Sequence, residues 1–272
     1  MNERLPEETL NCLEQPWPCQ ESCSVRHFEL LRQCDVRGLL HCHTAYVDGA
    51  HDLAAIVGTA RELGLDYLGV TDKLMSDYCA DGLCAESMAS QRAEIEKYNA
   101  DGNGFTLLHG VEVEVDPEGN LPVDEELLAG FDYVVATMHH SHDLDRERQT
   151  TRALRAVKHP RVSILGHPIG HFMTTGRDLP LDIDRVLTAA SAARVAVEID
   201  ANPAHEDLDW KNCYHAQKLG VILVIASDAH RAARLCDYRH GAEMTRDAGL
   251  CCRQILNTQT ADEVRAYFTR AV

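Results

Sequence analysis

A chain of 272 residues, 45% of them hydrophobic, can bury the core of one large α/β domain or two small ones. No apolar run reaches the roughly 18–20 residues that span a bilayer, and the acidic start of the chain has neither the basic head nor the apolar middle of a secretory signal, so a cytoplasmic location without a membrane partner is expected. The formal charge of −17, from 26 Lys+Arg against 43 Asp+Glu and with no basic run, disfavours nucleic acid as a partner, because its phosphates would repel this surface.

Residues 1–34, with Pro6, Pro16 and Pro18 and no sustained periodicity, read as an N-terminal extension with room for one short helix over 21–33. From 35 to 272 short apolar runs alternate with longer amphipathic stretches, the pattern of βα units around a parallel sheet or barrel. Seven strands are expected, at 36–40, 67–70, 106–115, 133–138, 162–165, 195–199 and 221–226, each rich in β-branched or aromatic residues. A helix over 53–63 carries Leu53, Ile56, Val57, Ala60 and Leu63 on one face and stops at Gly64. Asp145 and Asp182 cap helices over 145–157 and 182–192, and a helix over 206–219 ends at Gly220. Thr260 with Glu263 forms a capping box that opens the last helix. The 11 cysteines form no pair of CxxC motifs and read as reduced thiols; the alternative is a zinc knuckle from Cys12, Cys19, Cys23 and Cys34.

The 15 histidines are the unusual number, and their placement matters more. The first strand is followed by His41-Cys42-His43 and Asp48, and the second by Thr71-Asp72-Lys73. The third contains Glu112 and Glu114, of which only one need be a ligand. After the fourth come His139-His140-Ser141-His142, after the fifth His167, after the sixth Asp200 and Asn202, and after the seventh Ser227-Asp228-Ala229-His230. Parallel strands all point one way, so these ends converge on one mouth, where such barrels keep their active sites. Alternate residues of a strand share a face, which lets His41 and His43 point inward together while Cys42 points away. Imidazole nitrogen mixed with carboxylate oxygen suits zinc, iron or manganese better than calcium or magnesium, and the number of ligands implies more than one ion.

The set His41-x-His43, Asp48-Gly49, Thr71-Asp72, Gly110-Val111-Glu112, His139, His167-Pro168 and Ser227-Asp228-Ala229-His230 resembles the motifs of the PHP (polymerase and histidinol phosphatase) family, in that family's order. The likeness covers roughly residues 36–270. It is strongest toward stand-alone bacterial phosphatases and the PHP domain of family-X DNA polymerases, which the stretches 197–200 and 149–152 reinforce. It implies a distorted (β/α)7 barrel and metal-dependent hydrolysis of a phosphate ester, with a small molecule as the expected substrate. It further implies divalent ions such as Mn²⁺, Zn²⁺ or Fe²⁺. By position, His41, His43, Glu112 and Asp228 would hold one ion. Glu112, His139 and His167 would hold a second, and Asp48, residue 73 and His230 a third. The family has histidine where this chain has Lys73, and an ammonium neither ligates nor tolerates a metal. Three alternatives stand: two ions with Lys73 in place of the third and facing the substrate phosphate, three ions with Lys73 accommodated, or a barrel that has become a non-catalytic binding module. His171 and Arg177 are further candidates for the phosphate, with Arg231 and Arg234 near the mouth. His142 and His205 are candidates to protonate the leaving alcohol. DNA-end processing is the remaining alternative activity.

Overall fold

The computed structural model describes residues 30–269 apart from 103, 141–142, 171–177, 204 and 206. Seven strands lie side by side in chain order: β1 (Gly38–Leu39), β2 (Tyr67–Val70), β3 (Thr106–Glu114), β4 (Tyr133–Thr137), β5 (Ile164–Leu165), β6 (Ala196–Asp200) and β7 (Leu223–Ala226). Every neighbouring pair is parallel. Helices cover the outside: α1 (Leu53–Glu62), α2 (Ala85–Ala100), α3 (Glu125–Leu128), α4 (Arg146–Lys158), α5 (Ile183–Ala193), α6 (Trp210–Lys218), α7 (Tyr238–Asp247) and α8 (Ala261–Phe268). This is the nearly closed, seven-stranded barrel with intervening helices that the strand rhythm predicts. β1 and β5 begin later than expected, because Val36 and Val162 close turns onto Gln33 and His159 instead of joining a ladder.

The capping signals locate most helix starts. Asp145 accepts from Arg148 N at 2.9 Å, and Thr260 and Glu263 bond reciprocally. α6 starts at Trp210 and not at 206, because Asp209 takes the cap from Asn212 N at 2.7 Å. The sequence does not announce α2 or α7. α2 buries only Gln91 and Ile95, and the buried face of α7 is Tyr238, Gly241, Ala242 and Thr245, so neither carries the apolar stripe that marks a helix. Of the short helix expected over 21–33, residues 21–29 lie outside the described residues. Beyond them Leu31 is fully buried and residues Gln33–Asp35 form a 3-10 turn. Cys12, Cys19 and Cys23 also lie outside, and Cys34 is an exposed thiol. No described helix is long and apolar enough to cross a membrane.

The barrel interior changes character along its axis. At the N-terminal ends of the strands Tyr67 and Tyr133 fill it with Leu40, Leu108, Ile164, Ala196 and Val224. Two rings that size fit only because Gly38, Gly69 and Gly110 stand opposite them; a Cβ at Gly69 or Gly110 would run into Tyr133, and one at Gly38 into Tyr67. Val264 of α8 joins this cluster, and Phe268 stacks on Tyr133 at 5.1 Å, closing the bottom. Toward the C-terminal ends the inward positions become Thr71, Glu112, Thr137 and Glu198, all buried.

The seam between β7 and β1 is bridged by backbone near the mouth, where His43 N bonds Ala229 O at 3.0 Å, and is clasped below by one side chain. The Asn257 amide donates to Gly38 O (3.0 Å) and Ile225 O (2.8 Å), and its oxygen accepts from Ile225 N (2.7 Å). Replacing it with leucine leaves three buried backbone groups unsatisfied, at about 1–3 kcal/mol each before relaxation. Asn257→Leu is therefore expected to destabilise the barrel by about 3 kcal/mol and lower Tm by on the order of 10 °C. A thermal unfolding midpoint within about 2 °C of the unmodified protein would show that the seam holds without this clasp.

Candidate metal centre

The ionisable residues at the strand ends, among those described, gather at the C-terminal mouth. Local backbone geometry helps to aim them. Leu40 faces the interior, so strict alternation would send His41 outward; instead His41 has φ 71°, in the left-handed region. His167 (φ 45°) and Asp228 (φ 42°) share that strain, which costs on the order of 1–3 kcal/mol per residue and concentrates at functional sites. Cys42 points away as expected, its buried Sγ near Ala229 O and His43 O.

Two carboxylates sit at the centre, each turning its two oxygens to different imidazoles. Glu112 Oε2 is 3.5 Å from both His41 Nε2 and His43 Nε2, while Asp228 Oδ1 is 3.7 Å and 3.1 Å from the same two nitrogens. The other Glu112 oxygen, Oε1, lies 3.4 Å from His139 Nδ1 and accepts from Thr137 Oγ1 at 2.8 Å. The other Asp228 oxygen, Oδ2, lies 3.7 Å from His167 Nε2, and the His139 and His167 rings are 4.6 Å apart. To one side Asp48 Oδ1 is 3.1 Å from His43 Nδ1, and Asp48 Oδ2 receives His230 Nε2 at 3.2 Å and Lys73 Nζ at 2.6 Å. Lys73 thus joins Asp48 and His230, the group in which its position in the chain predicts it. Groups with ligand atoms close enough to share an ion include His41–His43–Asp228 and His43–Asp48–His230.

The electrostatics ask for more positive charge. Burial alone would neutralise Glu112, yet His41, His139 and His43 hold its carboxyl well below the usual range. Burial likewise opposes a charge on Asp228, which His43 and His41 keep ionised. In return burial is outweighed at His43, which Asp228 and Asp48 push up to about 9. Lys73 loses some basicity to burial but gains more from Glu112 and Asp48, so it remains an ammonium. The fit to metal rests on His43. It is fully buried with both ring nitrogens 3.1 Å from carboxylate oxygens, and neither nitrogen makes a hydrogen bond. Without an ion the two carboxylates hold a proton on this ring; a divalent ion would displace that proton and give the buried nitrogen the partner that the hydrogen-bond geometry lacks. The donor set of imidazole and carboxylate suits divalent ions.

Several supporting residues are not singled out by the sequence. Glu198 is fully buried and accepts from His41 Nδ1 at 2.6 Å, which leaves His41 Nε2 for the cluster; its Oε1 is 3.8 Å from His167 Nδ1. A charge inside the apolar run 195–199 is the signal that marks it. Glu114 is engaged elsewhere: it pairs with the buried Arg152 at 2.9 Å and accepts from His139 N. Glu198→Gln is expected to weaken divalent-ion binding by about 10–100-fold, the usual effect of losing a carboxylate that orients a ligating histidine. Competition against a chelator of known affinity checks this, and an unchanged constant would show that Glu198 does not orient His41.

His205 lies on the same rim. Its Nδ1 bonds Asp200 Oδ2 at 2.5 Å, and its ring is 6.3 Å from that of His167. The Asp200 carboxylate raises its pKa against the opposing effect of burial. Arg234 is committed to Asn202 (2.8 Å) and Asp237 (2.8 Å), and Arg231 is exposed. His142, His171 and Arg177 lie outside the described residues.

Comparison with known proteins places the chain in a family and agrees with its fold. The model of the PHP domain matches residues 40–202. The DNA polymerase/3'-5' exonuclease PolX of Bacillus subtilis (strain 168) is 31% identical over 242 residues, which is 89% of this chain and 42% of that protein. This chain therefore spans less than half of PolX. A probable phosphatase of Thermoanaerobacter sp. (strain X514) is 30% identical over 234 residues, covering 81% of this chain and 90% of that protein. The crystal structure of histidinol phosphate phosphatase from Lactococcus lactis, complexed with Zn, L-histidinol and phosphate, covers 79% of this chain and 94% of its own with a TM-score of 0.59. At 16% identity that is a likeness of fold.

Proposed function

Because this chain belongs to the PHP domain family, we propose that it hydrolyses the phosphate ester bond of a small molecule with the help of divalent metal ions held at the barrel mouth. The observation that carries this reading is the splitting of Glu112 between two imidazole sets: Oε2 toward His41 and His43, Oε1 toward His139. A carboxylate so placed is suited to two ions at once. His41, His43, Glu112 and Asp228 would hold one ion, and Glu112, His139 and His167 would hold the other; Mn²⁺, Zn²⁺ or Fe²⁺ would suit both. When bound, such ions supply acidification of water and neutralisation of charge on the phosphoryl oxygens.

The chain's own residues do the rest. Lys73 takes the place of a third ion. Its ammonium holds Asp48 with one donor and keeps two for a phosphoryl oxygen, and it stays partly exposed at the mouth to receive one. Asp200 holds His205 by Nδ1 and so orients its ring at the rim, where it is the candidate to protonate the leaving alcohol. From the sequence, His171 and Arg177 are the candidates for further phosphate contacts, and His142 is the alternative candidate proton donor. No covalent intermediate is needed, since burial pushes the Cys42 thiol far above its usual pKa.

Processing of DNA ends is a second reading, favoured by the likeness to PolX and opposed by the charge of −17. One panel separates them: protein loaded with Mn²⁺ or Zn²⁺, small phosphomonoesters and diesters, and a 3'-recessed DNA duplex. Chelator-sensitive phosphate release from small esters is the expected result. Activity on the DNA alone would favour the second reading, and no turnover of any ester by ion-loaded protein would overturn both.

A further inference from the structure

We propose that Arg152, on α4, is a positioning residue for the second ion only: it locks the end of β3 to the segment after β4 and so holds His139 against Glu112. The inference rests on the two-ion reading above.

The Arg152 guanidinium has five N–H donors and all five are used. Nε donates to Asp116 O (3.0 Å), and Nη1 donates to His140 O (2.8 Å) and Gln149 Oε1 (3.4 Å). Nη2 donates to Glu114 Oε1 (2.9 Å) and Val115 O (2.6 Å). The side chain is 1% exposed, and a charge that deep persists only where it is paired. A saturated guanidinium has no donor left for a ligand, so its work lies in what it holds.

What it holds is a part of the second site that the sheet does not, as His167, two residues past the last pairs of β5 and not bonded to Arg152, is another. The ladder of β3 with β4 ends at Glu114 opposite Thr137, so His139 lies two residues past its last pair. Beyond that point Glu114 replaces the ladder: it accepts from His139 N (3.0 Å) and His140 N (2.8 Å), and its Oε2 is 3.2 Å from His139 Nδ1. Arg152 fixes Glu114 from behind and grips His140 O from the other side of the same segment. The first ion's ligands have other supports. His43 N bonds Ala229 O across the seam, and Glu112 sits in the ladder opposite Val135; neither they, His41 nor Asp228 bonds Arg152. A lysine at 152 would keep the charge but not the fork that spans carbonyls of two loops.

The test titrates Co²⁺ into metal-free wild type and Arg152→Lys, counting ions by equilibrium dialysis and following the visible absorption of each site. The expected result is a first site altered by less than about threefold and a second weakened about tenfold or more. Glu114→Gln, which keeps the shape and loses the charge that Arg152 holds, is expected to weaken the same site, and it decides the matter if Arg152→Lys does not fold. Equal weakening of both sites, or an unchanged second site, would overturn the proposal while leaving the two-ion reading intact. A wild type that binds no Co²⁺ would instead sink that reading and this inference with it.

Discussion

Glu112→Gln is expected to lower kcat/KM on a phosphate ester by roughly a thousandfold or more, about 4 kcal/mol of transition-state stabilisation. Shape and volume are conserved, so the loss is electronic. An amide offers one acceptor and one donor where the carboxylate offers two anionic acceptors. Whichever way the amide turns, its NH₂ faces either the His41 and His43 nitrogens at 3.5 Å or the His139 nitrogen at 3.4 Å. Glu112 is 2% exposed, leaving no water to make good the missing contact. Kinetics with metal content measured on the same sample check this. Both ions should bind less tightly, and a variant with full activity would remove Glu112 from the shared position.

Lys73→Met should cost about a hundredfold to a thousandfold in kcat/KM, the usual effect of removing one donor aimed at charge that grows in the transition state. Metal content should not change, because Lys73 ligates nothing in this account. The Asp48 bond at 2.6 Å and the neighbouring Glu112 keep the ammonium charged, and its 30% exposure leaves it accessible to a substrate phosphate. Measuring kcat, KM and metal content together separates the roles. If activity and metal were lost in parallel, Lys73 would be acting through Asp48 and His43 on ion binding, and its phosphate contact would be refuted.

The barrel and the residues at its mouth are largely legible in the amino-acid sequence. Each short apolar run ends in an ionisable residue, a regularity that only converging strand ends explain. His41-x-His43 reads as an inward-facing pair, and both rings do meet Glu112, though simple alternation is not the reason: a left-handed backbone at His41 turns it inward. Lys73 stands out because it breaks an otherwise complete ligand pattern. Arg152 is not legible as a positioning residue, since an arginine on a polar helix looks solvated until the partners supplied by β3 and β4 are known. α2 is hidden for a related reason, because its buried positions are Gln91 and Ile95 and no apolar face advertises it. Gln91 serves instead in a buried polar chain, bonded to Asp72 and to His109 Nε2 at 3.1 Å, that steadies the loop carrying Asp48.

Elemental analysis would show whether Lys73 stands in for one ion of the cluster. Protein prepared without chelator and protein reconstituted with Mn²⁺ would be compared with Lys73→His treated the same way. About two ions per wild-type chain are expected and about three in the variant, where an imidazole would join Asp48 and His230. About three in both would contradict the role given to Lys73, and none after reconstitution would contradict the hydrolase itself.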